Sequence, residues 1–169
     1  MEQPASARSD FSVVRLDSRK AATVFPLVQA LLPTLKLSAW LQYVAELETG
    51  APEEQGVLTV EDGRGYVFGL ACYSCARDLQ YGRVLWVRNF VSFDLGDRWQ
   101  VADCLIANIE AVAAKLQCRA ARVILPETAA SHPRTRDTVA SKFRRHGYEM
   151  EAAQFVRILT AATEGAVGS

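Results

Sequence analysis

The stretch VLWVRNFVSFDLGDRWQVADCLIANIEAVAAKLQC, residues 84–118, decides the fold. It opens as a strand. Val84, Leu85, Trp86, Val87, Phe90, Val91 and Phe93 are apolar, β-branched or aromatic, interrupted only by Arg88, Asn89 and Ser92. A short polar turn follows, Asp94-Leu95-Gly96-Asp97-Arg98. Val101, Leu105, Ile106, Ile109, Val112, Ala113 and Leu116 then recur at helical spacing. A strand feeding a turn that opens a long helix aims the helix's first amides, and its positive dipole end, at one spot. That arrangement favours a bound phosphate.

Upstream, Phe11 to Leu16 alternates like a first strand. Asp17 or Ser18 can cap a helix carrying Ala21, Ala22, Val24, Phe25, Val28, Leu31 and Leu32 on one face. Pro26 should kink that helix or mark its real first turn, and Pro33 ends it. Ser38 is expected to cap a second helix with Trp40, Leu41, Tyr43, Val44 and Leu47 as its apolar set, stopped at Gly50-Ala51-Pro52. Val57 to Val60 and Tyr66 to Ala71 flank Glu61-Asp62-Gly63-Arg64-Gly65, and Asp-Gly is a strong hairpin signal. Asp78 to Gly82 makes the next turn. Downstream, Ala121 to Leu125 reads as a short buried strand. A polar loop then leads to a helix around Asp137 to His146, with Gly147 at its C′ position, and Gln154 to Leu159 reads as the last strand.

One domain accounts for all of this. The length, 169 residues, suits a single full core. Residues 1–10 and 161–169 read as loose tails around a domain at 11–160. Lys plus Arg equals Asp plus Glu at 19 each, so nothing global argues for nucleic acid or an anionic membrane as partner. No apolar run approaches the roughly 20 residues needed to span a bilayer. The start, MEQPASARSD, lacks the apolar core of a signal peptide, so a cytoplasmic location is expected.

Cys72 and Cys75 form a C-x-x-C, which raises zinc or thiol chemistry. On a strand, however, positions three apart face opposite sides. No second C-x-x-C or paired histidines complete a ligand set. Cys72, Cys75, Cys104 and Cys118 therefore read as buried or half-buried free thiols, and no metal site is expected. His146, next to Gly147, reads as a helix-end cation, and His132 as an exposed loop residue. Trp40, Tyr43 and Trp99 read as core or interface.

The order strand, two helices, antiparallel strands, strand–turn–long helix, strand, helix, strand resembles the GNAT superfamily of N-acetyltransferases from about Phe11 to Leu159. The ending Phe143-Arg144-Arg145-His146-Gly147-Tyr148 is similar to the family's helix end. The resemblance implies an α/β (α+β) fold, a mixed, mostly antiparallel sheet of six to seven strands with helices on both faces. It also implies acetyl-CoA as co-substrate, its pantetheine arm along the fourth strand at Phe90, Val91 and Ser92. The pyrophosphate would lie on the helix start at Arg98, Gln100, Val101, Ala102 and Asp103. The partner would be an amine of a small molecule or peptide, and a homodimer would be in keeping with the family.

The motifs depart from that pattern. The family's pyrophosphate signature is Arg or Gln, two residues, Gly, one residue, then Gly or Ala. It falls on Asp97-Arg98-Trp99-Gln100-Val101-Ala102, where only Ala102 fits. An aspartate opposes an anionic ligand, and Gln100 crowds the close approach that glycine permits. Asp97 is expected to cap the helix instead. At the family's tyrosine acid stands Phe143, which has no proton to donate, and Arg88 and Asn89 stand where a carboxylate base is common. No catalytic residue is identified. Arg134, Arg136, Lys142, Arg144 and Arg145 read as a solvated basic face, the alternative being contact with the coenzyme's 3′-phosphate or with an acidic partner.

Three readings follow. The first is acetyl transfer to an amine. The second is a scaffold that has lost the chemistry and serves as a binding or regulatory module. The third is an acyltransferase using a longer acyl group or another nucleotide-like ligand.

Overall fold

The structure, a computed structural model, describes residues 11–93, 100–125 and 139–151. In chain order these form β1 (Ser12–Arg15), a 3-10 turn (Ser18–Lys20), α1 (Ala21–Leu31), α2 (Leu37–Thr49), β2 (Gln55–Glu61), β3 (Val67–Asp78), β4 (Gly82–Ser92), α3 (Val101–Lys115), β5 (Ala120–Val123) and α4 (Val139–Arg145). The strands form one sheet in the order β1-β2-β3-β4-β5, antiparallel except for the parallel β4–β5 pair. This is the mixed, mostly antiparallel sheet expected, with five strands among the described residues rather than six or seven. The expected last strand, residues 154–159, lies outside the described residues, as do both tails.

The turns follow from local chemistry. At the β2–β3 hairpin, Asp62 Oδ1 accepts from the amides of Arg64 and Tyr66, both at 2.9 Å, and Gly65 takes a φ of 82° that a side chain would resist. Asp78 Oδ1 likewise accepts from the amides of Gln80 and Tyr81 before β4.

Each face of the sheet has its own core. Leu70, Cys72 and Val91 pack against Val24 and Val28 of α1 and Trp40, Val44 and Leu47 of α2. On the opposite face Ala71, Tyr73, Leu85, Val87 and Phe90 pack against Leu105, Ile106 and Ile109 of α3 and Phe143 of α4. Fully burying each such aliphatic side chain contributes about 1.5–3 kcal/mol. Trp40 Nε1 donates to the Ala21 carbonyl at 2.7 Å and ties α2 to α1.

Several expectations shift. Asp17 caps the 3-10 turn, accepting from the Arg19 amide at 2.8 Å, and α1 starts at Ala21 with Pro26 inside it. Ser38 does not cap α2, because Lys36 holds the N-cap position without a side-chain bond. Leu41 and Tyr43 lie at the edge of the apolar stripe and stay exposed. β3 runs on to Asp78, through the C-x-x-C, and places Cys72 and Cys75 against opposite cores. Among the described residues no helix is long and apolar enough to cross a membrane.

Candidate functional site

β4 is paired on both sides for only part of its length. Its parallel ladder to β5 runs from Val84–Ala120 to Val87–Val123, and its last bond is Ile124 N–H to the Val87 carbonyl at 2.9 Å. Beyond that point, among the described residues, β4 continues on β3 alone, through Arg88, Asn89, Phe90, Val91 and Ser92. The sheet therefore forks at Arg88, and the backbone edge on the far side of β4 is left outside the ladder.

A bulge sits in the fork. Cys72 pairs with Arg88 and Leu70 with Val91, so Asn89 and Phe90 together oppose Ala71. Asn89 takes the left-handed φ of 53° that this requires, a conformation asparagine tolerates better than most residues. The extra residue resets the alternation of faces. Phe90 joins Leu85 and Val87 on the α3 side, and Val91 joins Leu70 and Cys72 on the α1–α2 side.

The start of α3 is pressed against this part of the sheet. A Cβ on Gly69 would lie 2.8 Å from Val101 Cγ1 and 2.9 Å from the Val91 carbonyl, so only glycine permits the approach. Opposite Gly69 in register is Ser92, whose Oγ is buried without a hydrogen-bond partner. Val101 and Ala102 turn fully buried side chains into the core. Gln100, not Asp97, holds the N-cap position, exposed and without a side-chain cap bond. The helix thus begins later than the expected Arg98. Arg98, Asp97 and Trp99 lie outside the described residues.

Asp103, in the first turn of α3, is neutralised by α4. Lys142 Nζ lies 3.0 Å away, His146 Nε2 3.4 Å and an Arg145 nitrogen 4.0 Å. His146 Nδ1 also faces Glu110 at 3.5 Å, so this histidine joins two carboxylates of α3 rather than lying free at a helix end. Gly147 does take the C′ role, with φ 85°. Lys142 is buried, which corrects the expected solvated face at that position. Its ammonium reaches Asp103 instead of water. Arg144 is exposed as expected, and Arg134, Arg136 and His132 lie outside the described residues.

Phe143 fills the space next to the fork. Its ring meets Phe90 edge-on at 5.0 Å and Tyr148 at 5.1 Å. Burial pushes the Tyr148 phenol up to about 12, so it stays protonated at neutral pH.

On the α2 side of the same strand stands a different group. The Trp86 ring has the Arg88 guanidinium 5.7 Å and the Arg122 guanidinium 5.5 Å from its centroid. Arg122 is ion-paired to Glu151 at 3.0 Å and Asp78 at 3.6 Å. Arg88 is exposed and has no carboxylate partner among the described residues. Beside it, burial raises the Cys72 thiol to about 11 against hydrogen bonds from Asn89 and Tyr43, and burial raises the Tyr43 phenol as well.

A cleft of about 500 Å³ follows β5, lined by Trp86, Arg122, Val123, Leu125, Phe143 and Tyr148. Phe90, Val91 and Ser92 do not line it. Among the expected residues, Ser92 and Val101 are brought together across Gly69, whereas Phe90 is committed to Phe143. The bulge at Asn89 and the close approach at Gly69 were missed. Both had a signal, an asparagine inside an apolar strand and a glycine in the middle of one.

No family model matches the sequence, and no curated protein matches it. Solved structures do. An aminoglycoside N-acetyltransferase in complex with CoA superposes with a TM-score of 0.71 at 14% identity, covering 95% of this chain and 100% of its own. Glucosamine-6-phosphate N-acetyltransferase from Arabidopsis thaliana gives 0.68 at 8%, covering 89% and 99%. A transcriptional regulator from Bacillus halodurans gives 0.70 at 8%, covering 88% and 99%. These superpositions show that the chain shares the fold of N-acetyltransferase structures, the fold that the order of its elements led one to expect.

Proposed function

We propose that the chain is an acetyl-CoA-dependent N-acetyltransferase acting on an amine of a small molecule or peptide. The observation that carries this reading is the fork, with the buried, unpartnered Ser92 hydroxyl opposite Gly69 beside the start of α3. A buried hydroxyl without a partner costs roughly 1–3 kcal/mol, and a ligand's amide or phosphate oxygen would remove that cost. In this reading the strand backbone at Phe90, Val91 and Ser92 holds the pantetheine arm. Arg98 and the backbone at residues 100–103 hold the pyrophosphate. The thioester supplies the activated acetyl group.

The chain's own residues then do little proton chemistry. Arg88 and Asn89 cannot act as bases at neutral pH, and Phe143 cannot act as an acid. The amine must arrive neutral, and the positive charge of Arg88 disfavours its protonated form. What remains is positioning, which alone can supply a large share of rate acceleration.

Titration calorimetry with acetyl-CoA tests the reading, and absence of binding at millimolar ligand would end it. Gln100→Asp gives a sharper comparison. A carboxylate there should weaken acetyl-CoA binding while leaving the unfolding midpoint equal or higher, because aspartate is a better N-cap than glutamine. A second reading, a binding or regulatory module on the same scaffold, is favoured by Phe143 standing wedged between Phe90 and Tyr148. Coenzyme-dependent acetylation of any amine in a panel would rule it out.

A further inference from the structure

We propose that Arg88 is an anion-binding residue of the acceptor site, so that the acceptor is an amine that also carries a carboxylate or phosphate. The inference rests on the acetyltransferase reading and names its substrate class.

Four observations converge on Arg88. It is the first residue of β4 beyond the last β5 pair, so it stands at the mouth of the fork. Its register partner is Cys72, which packs on the α1–α2 side, and cross-strand partners share a face. The guanidinium therefore lies on the face opposite α3, away from the start of that helix. Its plane is steadied over Trp86 at 5.7 Å, which lowers the entropy lost on binding a ligand. Among the described residues no carboxylate neutralises it, whereas Arg122, which lies over the same ring, is ion-paired to Asp78 and Glu151.

The two arginines around Trp86 thus differ. Arg122 is ion-paired to two carboxylates, although its buried Nε makes no hydrogen bond among the described residues, and Arg88 holds an exposed, pre-oriented charge beside the fork. Planar guanidinium groups match carboxylate and phosphate oxygens in pairs. An amine bearing such a group would be drawn to Arg88 by its anion, while its own ammonium would be repelled and favoured as the neutral nucleophile.

The test is equilibrium titration of matched amines, O-phosphoethanolamine against ethanolamine and lysine against cadaverine, into protein with and without CoA. Wild type should bind the carboxylate- or phosphate-bearing member of at least one pair about tenfold or more tightly, the scale of a charged hydrogen bond. Arg88→Met should erase that preference and leave the weak binding of the member without the anionic group equal or slightly tighter, since the repulsion of its ammonium is relieved. Arg88→Lys should keep part of the preference, and Arg64→Met, in the exposed hairpin, should keep all of it. Thermal unfolding of each variant checks that the fold is intact. Equal or tighter binding of the amines that lack the anionic group, or a preference that survives Arg88→Met, would overturn the proposal. Where acetylation is measurable, Arg88→Met should lower kcat/KM for the carboxylate- or phosphate-bearing amine about tenfold or more, with KM raised. The titration needs no turnover, so failure of acetyl-CoA to bind would count against the catalytic reading and leave the anion result separate.

Discussion

The two halves of β4 share one strand and little else. From Val84 to Val87 the backbone is bonded on both edges, and Val84, Leu85 and Val87 are wholly buried between the two cores. From Arg88 to Ser92 it is bonded on one edge, carries a left-handed asparagine, exposes a guanidinium and buries an unpartnered hydroxyl. The first half obeys every rule that makes a strand stable, and the second breaks several within five residues. Such departures persist where the surrounding structure holds them and a site uses them. Substitutions in the closed half should therefore act on stability, and those in the open half on binding.

Leu85→Ala should give the largest change, a loss of about 2–5 kcal/mol in urea unfolding from the cavity left under α3. Gly69→Ala comes next. Its methyl would meet backbone and Val101, so about 1–3 kcal/mol should be lost, and the displaced start of α3 should weaken acetyl-CoA binding in calorimetry. Asn89→Ala should cost about 1 kcal/mol by thermal unfolding because alanine resists a φ of 53°, whereas Asn89→Gly should stay near wild type. If alanine is tolerated equally, the bulge is not a strained element. Ser92→Ala should do the reverse of a core truncation. Stability should hold or rise by up to about 1 kcal/mol, since an unpaired hydroxyl is removed, while acetyl-CoA binding weakens. Equal stability loss at Ser92 and Leu85 would erase the distinction between the halves.

The smallest effect concerns pH. The Cys72 thiol, opposite Arg88 in register, is raised by burial from 9.0 to about 11. Its folded value lies above its unfolded one, so its contribution is complete below about pH 9 and is lost as pH rises towards 11. Unfolding midpoints compared for wild type and Cys72→Ala across that window should converge as pH rises.

Much of the architecture was legible in the chain. The switch from strand to helical spacing around Gln100 located β4 and α3, and the Asp-Gly signal located the β2–β3 hairpin. Helix starts were less legible. At α2 and α3 the first residue follows from packing against the sheet rather than from a capping side chain, so Ser38 and Asp97 misled. The thiols show the same limit. Cys72 and Cys75 are neighbours in sequence, yet the close sulfur of Cys75 is that of Cys118 at 3.2 Å, brought over from the end of α3. Lys142 read as solvent-facing because nothing local reveals that Asp103 will meet it.

Sequence alone determined the order of the described elements, the two-sided sheet and the absence of an obvious acid or base at Phe143, Arg88 and Asn89. Residue type and period act within a few residues of chain, and they carry that much. Only the tertiary structure decided where β5 leaves β4, which face Phe90 and Val91 take, how near α3 comes to Gly69, and which of the arginines around Trp86 is left with charge to offer. Each of these is a contact between segments distant in the chain, set by pairing and packing together.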